Sequence, residues 1–322
     1  MHPALSVIVF TVLSGAGLGA LAWTALLDVG AALSLAPAPS RELLAGVILI
    51  ALGLIAAGLG ASLLHLAAPR NAWRSLTRWR TSWLSREAAA ALLILPIGAL
   101  YAFALARDAG AWRVALALAV LALAWAMLIA TAMIYASLKP IRQWHTPRVP
   151  IGYFLMGHAS GALVVLAVLP HDAPAARGLA LACVVMLLAA TVAKLEYWLY
   201  VGRGIGSVTL EQAIGVARGV RPPGPADSVM AARLLDVGHA RGTFLTHEFM
   251  TRVTPARVRV LRVVALAAGF LLPAAWIAPA SAGPGSAAPA LAACMIGLMA
   301  ERWLFFAEAR HTVRLYHGEA RT

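Results

Sequence analysis

The chain has 322 residues, of which 61% are hydrophobic and only 12% charged, and its formal net charge is +13. A water-soluble fold of this length must show much of its surface to water and could not hide so much apolar side chain, so composition excludes a soluble enzyme and points to a lipid bilayer. The positive charge is nearly all arginine set between long apolar runs, with no soluble domain to carry a basic face, which excludes a nucleic-acid-binding protein.

A membrane-spanning helix needs about 20 mostly apolar residues. The first such run, 4–27, has no Lys or Arg before it and is too long for a secretory signal, so it is expected to be a retained span. Further runs follow at 43–66, 88–106, 114–138, 151–169, 178–201, 260–280 and 287–307. The prediction is an all-α integral membrane protein with eight transmembrane helices, a single polytopic domain. Pro96 and Pro273 fall inside spans, where neighbouring helices can satisfy the freed carbonyls. Small residues at 14–19 and 58–62 permit close helix approach in lipid, a packing role. One long connection, 202–259, holds helix-like stretches at 209–217 and 228–237 around Pro222, Pro223 and Pro225. It is too small for a catalytic domain and reads as a surface for partner docking.

Eight spans place both termini on one face, side A. The side A segments 67–86, 139–148 and 202–262 and the C-terminal tail hold 20 of the 26 basic residues, against Arg41, Arg107, Arg113 and Arg177 on side B. Short cytoplasmic loops carry such an excess, so the termini and the Arg-rich loops are expected to be cytoplasmic. The two cysteines, Cys183 and Cys294, lie in apolar runs, which leaves no thiolate zinc site and no iron–sulfur cluster held by this chain alone.

Ionisable groups at membrane depth are costly and therefore candidates for function. His65 closes span 2 and Glu87 opens span 3, both at side A. Lys194 and Glu196 lie near the side A end of span 6, and Glu301 and Arg302 near that of span 8. His158 lies two turns into span 5. The side B halves are read as nearly free of ionisable residues. A transporter or ion pathway would need polar groups near the midplane or across the bilayer. A one-sided site reached from lipid suits quinone, whose reduction couples two electrons to two protons, with His and Glu as proton acceptors and donors. The plainer reading is that these groups pair with one another or reach to headgroups, as Lys194 with Glu196 and Glu301 with Arg302. Only His65 and His158 are placed to attempt haem ligation, and no haem is expected. Electrons would then come from, or go to, a partner docked on side A. A passive scaffold remains the rival class.

Five segments resemble the DMSO reductase membrane-anchor family: 1–8 with 13–17, Trp79-Arg80-Thr81-Ser82-Trp83-Leu84-Ser85-Arg86-Glu87, Lys139-Pro140-Ile141-Arg142-Gln143-Trp144-His145, Phe244-Leu245-Thr246-His247-Glu248-Phe249-Met250, and 301–309. The resemblance covers nearly the whole chain in the family's order. It implies an eight-helix anchor in the bacterial inner membrane, bound to a four-cluster iron–sulfur subunit and a molybdopterin catalytic subunit. Those partners hold the clusters and the molybdopterin, and the anchor exchanges electrons between them and menaquinone or ubiquinone. The family's quinol-site histidine and glutamate fall on His65 and Glu87. Arg86 would tune Glu87, and Lys194, Glu196, Glu301, Arg302 and His158 would support the site. Arg74, Arg78, Arg80, His247 and Glu248 would receive the iron–sulfur partner.

The founding DMSO reductases place their catalytic subunits on the periplasmic side, whereas the charge count here makes side A cytoplasmic. The chain is therefore expected to sit nearer to relatives that serve quinone-linked sulfite dehydrogenases with cytoplasmic catalytic subunits. The alternative is that the side A arginines grip an acidic partner rather than set orientation. The likeness of 83–87 to 244–248, four spans apart, predicts two four-helix halves, with Ser85 and Thr246 as N-caps and Glu248 as the counterpart of Glu87.

Overall fold

In the computed structural model, the described residues are all except 1–2, 36, 38, 65–68, 108, 174, 205–206, 210–252, 278–282 and 318–320. Among the described residues there are eight long apolar helices: α1 Leu5–Ala32, α2 Arg41–Leu63, α3 Trp83–Ala106, α4 Ala111–Ala136, α5 Arg148–Leu166, α6 Ala176–Gly202, α7 Pro255–Ile277 and α8 Pro284–Ala307. At 1.5 Å per residue even the 19 residues of α5 reach about 28 Å, close to the thickness of a hydrocarbon core. Large apolar side chains such as Leu92, Leu181, Val192 and Ile296 stay exposed on the outer faces. Water would penalise that surface, and lipid does not. The protein is thus an all-helical, multi-pass integral membrane protein.

From α2 onward the observed helices start earlier than the hydropathy runs, because their first turns are helical too. Ser82, not Ser85, caps α3 by accepting from the Ser85 backbone N–H, while Ser85 is buried in the first turn. α1 continues past residue 27 and carries Asp28 inside, where Tyr101 donates to it at 3.0 Å and Arg113 approaches at 3.4 Å. This buried cluster joins α1, α3 and α4 at side B and corrects the expectation that side B lacks ionisable groups at depth. Residues 210–252 lie outside the described set, and with them almost all of the expected loop helices at 209–217 and 228–237.

Helix adjacency falls into two rings. α1 packs on α2, α2 on α3, α3 on α4 and α4 on α1. In the same way α5 packs on α6, α6 on α7, α7 on α8 and α8 on α5. The rings meet mainly through α1 and α5, with α4 on α5 and α1 on α8 flanking them. This is the arrangement expected of two four-helix halves, although Thr246 and Glu248 are outside the described residues.

The joint between the rings is backbone on backbone. A Cβ at Gly161 would overlap Gly19 and Ala20 of α1, and one at Gly19 would overlap Gly157. Without a hydrophobic force between helices in lipid, such close approach supplies the dispersion contacts that hold them together. Gly161→Ala is expected to cost about 1–3 kcal/mol through forced separation, read as a lowered thermal midpoint of the detergent-solubilised protein. In α7 a π-turn over Ala267–Leu271 precedes Pro273, shifting the hydrogen-bond register where proline removes a donor.

Candidate functional site

Among the buried residues of α3, Glu87, Ala90, Ala91, Ile94, Gly98 and Tyr101 form one stripe, as helical spacing requires. Glu87 therefore points into the protein, where it is 5% exposed, one turn below the side A end. Arg86 is rotated about 100° from it, and its guanidinium folds back onto the preceding segment. Nε donates to the Trp79 carbonyl at 3.0 Å and Nη2 to the Arg80 carbonyl at 2.8 Å, with the Trp83 ring 4.2 Å beneath. Arg86 thus braces the connection between α2 and α3 and is aimed away from Glu87, contrary to the tuning role expected of it.

Glu87 Oε1 forms a short hydrogen bond with Thr131 Oγ1 of α4. The same hydroxyl lies 3.0 Å from the Met127 carbonyl. A hydroxyl has one proton to donate. When Thr131 donates to Met127, the Glu87 carboxyl must be the protonated donor; when Glu87 is ionised, Thr131 turns to donate to it. The pair can therefore hold Glu87 in both protonation states, as a proton-exchanging group needs.

Thr131 also lines a cavity where the two rings meet, together with Gly15, Tyr153, Met156, Gly157 and Arg302. The Arg302 guanidinium stacks on the Tyr153 ring at 4.1 Å. Tyr153 Oη and Arg302 Nη1 are buried with no well-aligned hydrogen bond among the described residues, and their neighbours in reach are one another and Tyr135. Buried donors are costly to leave unmade, so this wall of the cavity is chemically ready for an acceptor oxygen. At the side A ends of α4 and α8, Tyr135, Trp144, Phe305 and Phe306 pack into an aromatic cluster, with Trp144 Nε1 donating to the Phe305 carbonyl at 3.1 Å.

The supporting residues sort differently from expectation. Lys194 and Glu196, two apart on a helix, face opposite ways. Lys194 is buried and pairs with Glu301, which also takes the Arg302 Nε–H. Glu196 is half-exposed and pairs with Arg148 at 2.6 Å. Neither Lys194–Glu196 nor an isolated Glu301–Arg302 pair describes the arrangement; it is a buried triad of two cations on one carboxylate. His158 lies near the middle of α5, deeper than expected. Its Nδ1 is 2.9 Å from the Phe154 carbonyl, and its Nε2 accepts from Trp125 Nε1 at 3.0 Å. An indole only donates, so the imidazole is held as the neutral Nδ1–H form with both nitrogens engaged, which suits a packing role better than proton exchange.

His65, His247 and Glu248 lie outside the described residues. Arg74, Arg78 and Arg80 are exposed at side A, in or just after the 3-10 segment Pro69–Arg78, beside exposed Trp73 and Trp79. Sequence reasoning missed Thr131 and Tyr153, because a lone Thr or Tyr in an apolar run carries no signal of its own.

The family model described as DMSO reductase anchor subunit (DmsC) matches residues 1–300. A protein of Allochromatium vinosum, named as a subunit of sulfite dehydrogenase, is 33% identical, over 98% of this chain and 99% of its own length. No solved structure gives a significant match.

Proposed function

From the premise that the chain belongs to the DMSO reductase anchor subunit family, we propose that it anchors a molybdopterin oxidoreductase complex in the bacterial inner membrane and exchanges electrons between membrane quinone and a docked four-cluster iron–sulfur subunit. The observation that carries this reading is the Glu87–Thr131 pair, whose hydroxyl lines the same cavity as the Tyr153 phenol and the Arg302 guanidinium. A quinone headgroup has two oxygens at opposite ends of one ring. Glu87 with Thr131 would serve one, exchanging its proton with side A. Tyr153, steadied by Arg302, would donate to the other. His65, two residues beyond α2, is retained from the family resemblance as a further proton-exchanging group.

Arg74, Arg78 and Arg80 would offer the iron–sulfur subunit a positive, aromatic surface on side A. The basic side A loops and the relative named for sulfite dehydrogenase favour a complex that oxidises sulfite, with its catalytic subunit in the cytoplasm.

Binding of a fluorescent quinone analogue to membranes containing the assembled complex tests the reading. Thr131→Val keeps the shape and removes the hydroxyl, and it is expected to weaken binding about tenfold, the worth of a hydrogen bond to a charged group. A passive scaffold would neither bind nor quench the analogue.

A further inference from the structure

A second, smaller cleft lies between α5, α6 and α8 and shares only Tyr153, Met156 and Arg302 with the first. Its wall carries three cations: Arg148 at the first residue of α5, Lys194 on α6 and Arg302 on α8. Two carboxylates are bonded to them, Glu196 to Arg148 and Glu301 to both Lys194 and Arg302. Within this group of described residues one positive charge is left over. Lys194 is 6% and Arg302 5% exposed, so the surplus sits inside the apolar leaflet. Arg302 spends Nε on Glu301, while Nη1 has no well-aligned acceptor among the described residues and Nη2 reaches the Met156 sulfur at 3.7 Å, a weak acceptor. A buried guanidinium that shares one carboxylate with an ammonium has an incomplete counter-charge, and its two terminal nitrogens are short of acceptor oxygens.

We propose that this cleft binds the phosphate of an acidic phospholipid headgroup. Phosphate oxygens supply the missing charge and accept from guanidinium and ammonium donors, and such charge-assisted bonds are the strong ones. A lipid is the source the surroundings favour. Arg148 stands at the rim of the bilayer, where headgroup phosphates lie, with Lys194 and Arg302 roughly one to two turns below. Ile151, Val192 and Leu195 on the flanking helices are exposed, so acyl chains leaving the cleft continue onto apolar surface. Gly152 and Ala193 keep that part of the cleft wall free of long side chains. Basic pockets between transmembrane helices bind anionic headgroups in this manner. Arg302 and Tyr153 border both clefts, whereas Arg148 and Lys194 line only this one and Glu87 and Thr131 take no part in it, so variants at Arg148 and Lys194 test it apart from the quinone reading.

The test uses the full chain, purified and reconstituted in nanodiscs of phosphatidylglycerol or phosphatidylcholine, with retained lipid read by native mass spectrometry. One phosphatidylglycerol is expected to be retained, with about tenfold preference over phosphatidylcholine. Arg148→Gln, at a partly exposed pair where folding is not at stake, is expected to lower retention about fivefold, the worth of one basic contact. Lys194→Met should lower it at least as much, and Arg148→Lys should retain the lipid. Retention that withstands millimolar inorganic phosphate supports the headgroup. Displacement by inorganic phosphate would overturn the lipid assignment in favour of a free phosphate ion. Equal retention of both lipids, unchanged in Arg148→Gln and Lys194→Met, would overturn the site.

Discussion

Glu87→Gln is expected to lower quinone-linked turnover of the assembled complex by at least about 100-fold, the usual worth of a positioned proton donor or acceptor, while dye-linked activity of the partner subunits stays unchanged. Glutamine has almost the same shape and can still bond to Thr131, so α3 and α4 remain joined. What it cannot do is take up and release a proton. Thr131 would then be fixed in one hydrogen-bond arrangement instead of serving two. Dye-linked activity bypasses the membrane site, so a parallel fall in both activities would indicate failed assembly rather than failed proton exchange. Turnover within twofold of the parent would remove Glu87 from the site.

The second large effect concerns stability. Glu301 is fully buried and is the one carboxylate bonded to both Lys194 and Arg302 among the described residues. Glu301→Gln strips both cations of their partner at once and leaves two like charges facing each other in the bilayer. Breaking a buried ion pair from one side costs about 3–5 kcal/mol, enough to deplete the folded chain. Lys194→Met removes one of two cations and leaves Arg302 paired with Glu301, so it is expected to cost far less. The ordering is the test, read from the amount of assembled chain in membranes and from its thermal midpoint in detergent. A mild Glu301→Gln beside a severe Lys194→Met would contradict the charge arrangement.

The sequence reveals what depth and periodicity encode. Eight apolar runs of spanning length fix the number of helices, and a glutamate opening an apolar run marks Glu87 without reference to any neighbour. Pairing across helices is a different matter, because it depends on which faces the folded bundle turns toward one another. Lys194 and Glu301 stand 107 positions apart, and nothing local to either announces the other. Two of the departures are nonetheless readable. Adjacent helical residues diverge by about 100°, which already separates Arg86 from Glu87, and residues two apart do not share a face, which separates Lys194 from Glu196. Asp28 escapes because an apolar run is naturally ended at its first charge, whereas Tyr101 and Arg113 allow the helix to carry that charge onward while buried. Ser85 looks like the cap only when the helix is begun where apolar residues begin, one turn inside its true start at Trp83.

The central claim is that quinone chemistry takes place in the cavity where the two four-helix rings meet. The most direct measurement is a structure of the assembled complex with bound quinone. The headgroup is expected between Thr131 and Tyr153, with one ring oxygen within hydrogen-bond distance of Glu87 or Thr131 and the other facing Tyr153 and Arg302. A headgroup seated elsewhere, with the Glu87–Thr131 cavity filled by side chains alone, would contradict it.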